Sequence, residues 1–200
     1  MKKSVEFFDQ AFRHLPVTDA GKLNPFEELA LPYLRGEVLD FGCGMGNLAF
    51  AAAAKGCQVT ALDASPVAID HIKSRAASES ASVIAAQADL RAYPIEQDFD
   101  CVVSIGLLMF FDCLSAINML TQLQAHVRPG GYAIVNVLVQ GTTYMDMFDP
   151  QDHCLFAPTA LQESFAGWHI EYAAISDFEA PLGTLKRFAT VIARKPQAPH

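Results

Sequence analysis

Three glycines at two-residue spacing, Gly42, Gly44 and Gly46, stand among acids in the segment VLDFGCGMGNLAF, residues 38–50. Inside a strand or a helix glycine costs about 0.5–1 kcal/mol relative to alanine, so this cluster needs a reason of its own. Glycine admits positive φ and lets another group approach the main chain, and a strand-to-helix loop built this way presents its N–H groups to a ligand. A tight turn whose glycines serve packing alone is the competing reading. Three carboxylates close apolar runs around the loop: Asp40 just before it, Asp63 in CQVTALD and Asp89 in SVIAAQAD. An ionised carboxylate only accepts hydrogen bonds, and an acid about 20 residues past the loop, where Asp63 stands, suits the two hydroxyls of a ribose. Asp89, one strand further out, is placed for an adenine amino group, with Leu90 covering the ring. Asp40 is placed for the loop's N–H groups or a ligand ammonium. Each acid also reads as a helix N-cap or a loop brace.

The elements that must carry these residues alternate. A strand over about 37–41 leads into the helix NLAFAAAAKG, apolar on nearly every face and closed by Gly56 at a C′ position. CQVTALD is a strand; SPVAIDHIKSRAASES is a helix capped by Ser65, with Pro66 at its first position and Ile69, Ile72 and Ala76 on one face. SVIAAQAD and FDCVVSIG are further strands, apolar without alternation, the mark of burial on both sides. DCLSAINMLTQLQAHV places Leu114, Ile117, Leu120 and Val127 at helical spacing, and RPGG turns into the strand YAIVNVLV. This alternation predicts an α/β fold, a doubly wound, mostly parallel sheet with its ligand at the carboxyl ends of the strands. After a loop over about 140–158 and the helix TALQESFAG, the strands WHIEYAAISD and LKRFATVIARK follow one another with no helix between them, an antiparallel pair.

The chain has 200 residues, 52% hydrophobic and 18% charged, with no linker or repeat, which predicts a single domain over 1–200. A helical cap is expected over about 1–34 and a frayed tail over 196–200. No signal-peptide h-region forms before Glu6 and Asp9, and no apolar run is long enough to span a bilayer, so a cytoplasmic protein without membrane contact is expected. The cysteines at 43, 57, 101, 113 and 154 form no C-x-x-C pair and no zinc-ligand spacing, and are expected to be buried thiols, with no metal site. A net charge of −8 without a Lys/Arg stripe argues against nucleic acid and for a small-molecule partner. Oligomeric state is not readable.

A dinucleotide fingerprint would need a third glycine where Asn47 stands, which disfavours a nicotinamide cofactor. Taken together, VLDFGCGMGNLAF, the acid in ALDASP, the acid in QADL and RPGGYAIV resemble the class I S-adenosylmethionine-dependent methyltransferases over about residues 36–139. The resemblance implies a seven-stranded sheet with an antiparallel C-terminal strand and S-adenosylmethionine as cofactor. It implies that the glycine loop holds the methionine part, Asp63 the ribose and Asp89 the adenine. The expected cofactor residues are Asp40, Gly42, Cys43, Gly44, Gly46, Asn47, Asp63, Ala64, Asp89, Leu90 and Ile105; Cys43 serves there as a small packed residue and not as a nucleophile.

The stretch SIGLLMFFD lacks the Asn-Pro-Pro-Tyr-like element of base-methylating enzymes and a Pro-Cys nucleophile. LLMFF, RPGGY, LFAPTALQESFAGW and LKRFATVIARK are similar to the tellurite-resistance methyltransferases, which implies a small, soft acceptor: a tellurium or selenium species, or a thiol. The His-Arg pair expected there before the last strand is absent from ISDFEAPLGTLK; Lys186 and Arg187 are the nearest basic groups. His153 in DPQDHCLF and Arg187 are the candidate catalytic residues. Tyr144 and Phe156 are expected along the pocket, with Phe7, Phe8 and Arg13 closing it from an N-terminal helix. A nicotinamide oxidoreductase and a non-catalytic S-adenosylmethionine-binding module are the alternatives.

Overall fold

The computed structural model describes residues 2–14 and 21–197; the expected tail falls partly, and the middle of the N-terminal cap wholly, outside them. In chain order the elements are α1 (Lys2–Arg13), α2 (Pro25–Ala30), β1 (Glu37–Phe41), α3 (Asn47–Ala54), β2 (Gln58–Asp63), α4 (Pro66–Glu79), β3 (Val83–Gln87), β4 (Phe99–Ile105), α5 (Cys113–Ala125), β5 (Val127–Leu138), the single turn α6 (Ala160–Glu163), β6 (His169–Ala180) and β7 (Thr184–Arg194). They build one seven-stranded sheet in the order β3-β2-β1-β4-β5-β7-β6. The first five strands are mutually parallel, while β7 runs antiparallel to both β5 and β6. This is the α/β, mostly parallel, seven-stranded sheet that the alternation and the resemblance implied.

Each face of the sheet is covered, which is why its strands read as continuous apolar runs. Leu39 and Phe41 of β1 pack with Ala116, Met119, Leu120 and Leu123 of α5 on one face. Val38 packs with Leu48, Ala49 and Phe50 of α3 and with Ile69 and Ile72 of α4 on the other. A third, smaller cluster of Met109, Phe110, Leu138, Met147 and Phe148 gathers apolar side chains of the long loop beside those that follow β4.

Local signals explain the boundaries. Gly56, at φ 90°, donates to Ala53 O while Cys57 N donates to Ala52 O, the paired bonds of a Schellman stop. Ser65 Oγ accepts from Ala68 N at the start of α4, and Asp112 accepts from Ser115 N at the start of α5.

Three expectations are corrected. On α5 the apolar face is Ala116, Met119, Leu120 and Leu123, with Leu114 71% and Ile117 54% exposed. The buried set holds the spacing i, i+3, i+4, i+7, a fuller stripe than the one that starts from Leu114. RPGG is not a turn preceding β5 but lies within it, where the pairing jumps from Phe99↔Val127 to Cys101↔Tyr132 and the extra residues form a bulge. Cys43, Cys57 and Cys101 are the buried thiols expected, but Cys113 and Cys154 are joined in a disulfide across a separation of 41 residues. The long loop folds back so that Cys154 N donates to Met109 O at 2.9 Å, which brings its side chain to the first turn of α5.

Candidate active site

At the carboxyl end of the sheet, β2 and β4 flank β1 and their following segments lead to opposite sides, the switch point where open α/β sheets bind ligands. Here the glycine loop leaves β1. Gly42, Gly44 and Gly46 have φ values of 88°, 50° and 76°, so all three need the left-handed region that other residues avoid. Gly42 and Gly46 also have no room for a side chain: a Cβ on Gly42 would lie 2.9 Å from Leu107 Cβ, and one on Gly46 2.8 Å from Ile72 Cγ1. Main-chain bonds from Gly42 N and Cys43 N to Leu62 O hold the loop to the end of β2. Gly46 is the N-cap of α3.

Asp63 ends β2 inside this loop. Its Oδ2 accepts from Gly44 N and its Oδ1 from Ser65 N, each at 2.8 Å. Burial pushes its pKa up against the lowering effect of these N–H groups. Asp40 is deeper, 5% exposed, and burial, with the negative charges of Glu27 and Asp63 nearby, raises its pKa to about 8. Glu27, whose carboxylate caps the Asn24 N–H, is also raised by burial. Burial holds the Cys43 thiol well above its ordinary pKa, and Sγ lies 3.7 Å from Gly44 O, in keeping with a packed residue.

A cavity of about 610 Å³ opens over the loop, within the usual size of small-molecule sites. Of the expected cofactor residues, Asp40, Gly42, Cys43, Gly44, Asn47, Asp63, Ala64, Leu90 and Ile105 line it. Gly46 stands behind the wall as the cap of α3, and Asp89, next to the lining residue Leu90, is exposed and not itself part of the lining, its Oδ1 accepting from Arg91 N. Asn47 also braces the segment ahead of α2, donating to Lys22 O and accepting from Gly21 N. Phe7 and Phe8 of α1 line the cavity as expected, together with Phe12, whereas Arg13, expected with them, is not among its lining residues.

The two candidate catalytic residues are elsewhere. His153 Nδ1 lies 2.9 Å from Asp149 O and its ring packs on Phe148, which itself lies behind the wall residue Phe110. Arg187 holds Asp177 in a two-pronged ion pair, Nε to Oδ1 at 2.8 Å and an outer nitrogen to Oδ2 at 2.9 Å. Tyr144 sits under Lys186 and Phe156 belongs to the core, so neither forms the wall that the sequence assigns them. Residues not singled out from sequence take their place: Glu27, Phe26, Asn136, Phe178 and Phe188 line the cavity. Asn136 is fully buried; its Nδ2 donates to Thr190 Oγ1 at 2.8 Å while its Oδ1 has no partner among the described residues. A polar residue inside the apolar strand YAIVNVLV was the signal available for it.

Comparison with known proteins agrees with this geometry. The model of the "Methyltransferase domain" family matches residues 38–131, which hold the glycine loop and all three acids. The chain is 27% identical over 166 residues to a probable S-adenosyl-L-methionine-dependent methyltransferase, TehB, of Haemophilus influenzae, covering 80% of this chain and 57% of that protein. Over these residues the chain is similar to the class I S-adenosylmethionine-dependent methyltransferases. Its likeness extends to the TehB proteins, which are named as probable S-adenosyl-L-methionine-dependent methyltransferases. The crystal structure of TehB from H. influenzae superposes with a TM-score of 0.76 at 20% identity, over 96% of this chain and 67% of that one. Hemagglutinin 1 of Eikenella corrodens is 27% identical over 171 residues, 80% of this chain and 55% of that protein. A structure described for the conversion of a disulfide bond into a thioacetal group during echinomycin biosynthesis has a TM-score of 0.70 at 24% identity, covering 98% and 93%. The chain thus spans little more than half the length of the curated relatives it matches.

The walls fit that cofactor. A bare-backbone cradle without room for Cβ atoms, a carboxylate at the end of β2 and a buried acid beneath the loop suit a molecule bearing an ammonium, a ribose and a thioether chain. No helix of the described residues is long and apolar enough to cross a membrane.

Proposed function

We propose that this chain transfers the methyl group of S-adenosylmethionine to a small, soft nucleophile such as a thiolate or a reduced selenium or tellurium species. One observation carries this reading: a single cavity joins the glycine loop and Asp63 to an apolar pocket of Phe8, Met109, Phe110 and Met147, and among the described residues no histidine or tyrosine lines it. S-adenosylmethionine, when bound, supplies an electrophilic methyl on a sulfonium. In this reading Asp63 holds the ribose, the N–H groups of residues 42–46 and the Asp40 carboxyl hold the methionine end, and Leu90 covers the adenine, with Asp89 reaching the purine from the rim. The apolar walls exclude water and fix the line from nucleophile to methyl, and such alignment can supply about 7–11 kcal/mol in favourable cases. An acceptor that is already an anion needs no protein base, which agrees with His153 and Arg187 lying outside the cavity. The echinomycin structure, described for a change at sulfur, is in keeping with a sulfur acceptor. A cytoplasmic setting is part of the same proposal.

Glu27 favours a second reading. It lines the cavity with a pKa raised by burial, the condition of a carboxylate that takes a proton from an amine or hydroxyl acceptor. Release of S-adenosylhomocysteine from thiols, amines and phenols, measured for wild type and Glu27→Gln, separates the two. The soft-nucleophile reading expects thiols to lead and Glu27→Gln to keep thiol turnover within a few-fold. Preferential turnover of phenols or amines that Glu27→Gln abolishes would replace it with the general-base reading.

A further inference from the structure

The far end of the cavity is built on β7. Along a strand alternate residues share a face, so Lys186, Phe188 and Thr190 lie in one row, with Asn136 of β5 opposite Thr190 and Phe178 of β6 opposite Lys186. Lys186, Phe188, Asn136 and Phe178 all line the cavity. Phe26 of α2 completes the wall, its ring 4.8 Å from that of Phe188 and 5.3 Å from that of Phe178, with the last two 5.8 Å apart. Four residue steps along the strand take Lys186 to Thr190, about 13 Å. The row is therefore long enough for a flat ring lying on Phe188, with one end near Asn136 and the other under the lysine.

Lys186 is the unusual member. Its Nζ sits 4.5 Å from the centre of the Tyr144 ring, and among the described residues no carboxylate pairs with it. Its pKa is lowered by burial, with no charged neighbour contributing. A cation drawn into an aromatic wall is ordinarily paired, because desolvation otherwise disfavours the charge. Glu179, although on the cavity wall, forms no ion pair with it.

We infer that Lys186 selects the acceptor by its charge, the acceptor being a flat apolar acid with its nucleophile at one end and a carboxylate or similar anion at the other. This rests on the methyl-transfer reading. For a thiol acid the ionised sulfur attacks the methyl carbon, a carbon–sulfur bond forms, and the bond to the sulfonium breaks with its electron pair left on the departing thioether sulfur. The carboxylate takes no part in the reaction and stays on Lys186.

The test separates recognition from turnover. Calorimetry with S-adenosylhomocysteine present compares 4-(methylthio)benzoate with methyl phenyl sulfide, the methylated forms of an acidic and a neutral aromatic thiol. Wild type is expected to bind the acid at least about tenfold more tightly, the scale of one charge-assisted hydrogen bond. Lys186→Met is expected to bring the two affinities together and Lys186→Arg to restore the preference. Retained S-adenosylhomocysteine binding in the same experiment shows that each variant is folded. Equal binding of the two ligands by wild type, or a preference that survives Lys186→Met, overturns the inference. Turnover of 4-mercaptobenzoate is assayed apart from this: its absence beside an intact carboxylate preference counts against methyl transfer to thiols and leaves the subsite standing.

Discussion

The two ends of the cavity are made by different means. The cofactor end comes from about fifty consecutive residues, Asp40 to Leu90, in which each strand delivers its side chains directly to the site and hydrogen bonds between neighbouring segments lock the loop. The end proposed for the acceptor draws on α1, α2, β5 and the β6–β7 hairpin: β5 and β7 are joined by sheet pairing and a buried Asn–Thr bond, while α2, more than a hundred residues away in sequence, meets the hairpin only through ring contacts. A loop held by backbone geometry tolerates almost no substitution, whereas a wall of aromatic side chains can be repacked. One end is fixed by the main chain, the other by side chains.

The sharpest way to break this contrast is to substitute within the loop. Gly42→Ala forces a side chain at φ 88° and within 2.9 Å of Leu107 Cβ, an atom that cannot rotate away. Left-handed strain costs about 1–2 kcal/mol and overpacking about 1–3 kcal/mol. Denaturant unfolding is expected to show a loss of that combined order, together with loss of S-adenosylmethionine binding; a variant of wild-type stability would mean that the loop is soft. Next in size, Asp63→Ala removes the acceptor of the Gly44 and Ser65 N–H groups and the proposed ribose contact. At about 1.5–3 kcal/mol for a charge-assisted bond, cofactor affinity should fall about tenfold or more in a folded protein. Calorimetry showing unchanged affinity would remove Asp63 from the site.

Asp40 links the site to pH. Burial favours its neutral form, so between about 3.8 and about 8 the folded protein holds a proton that the unfolded chain has released. Stability from this group is therefore complete below the unfolded value and declines as pH rises toward about 8. The ligand-free protein should lose thermal stability over that window, and Asp40→Asn should flatten the decline; an unchanged slope would place the titration on other groups such as Glu27, which is shifted in the same direction. The smallest effect is expected from His153→Ala. With its ring behind Phe148, kcat should change by no more than a few-fold, whereas a histidine general base would cost about 10²- to 10⁴-fold.

Legibility follows the same division. The glycine loop and the Ser65 cap were readable because each is decided by conformation or hydrogen bonding within a few residues, and the acids at 40 and 63 because they stand near the ends of apolar strands. Leu114 and Ile117 misled because helical spacing names a stripe without saying which of two overlapping stripes faces the sheet. The disulfide was hidden, since nothing local brings position 154 beside position 113. His153 and Arg187 drew attention by chemical type alone, yet one is turned onto a main-chain carbonyl and the other is consumed by Asp177. Lys186 and Phe188 owe their place in the site to pairing of β7 with β5, a contact across about fifty residues that no short pattern encodes.

That pairing also bears on how the molecule reaches its native state. β7 comes last among the strands but occupies an interior position, between β5 and β6. During synthesis β6 therefore emerges with no partner, and β5 waits with an open edge of Val135, Val137 and their unpaired main-chain groups. Only when residues 184–194 arrive can the hairpin close and dock, so the sheet is completed by a non-local contact and in a single late step. Until then the exposed edge is the segment most prone to pair with another chain, and a chaperone that shields it would act on β5.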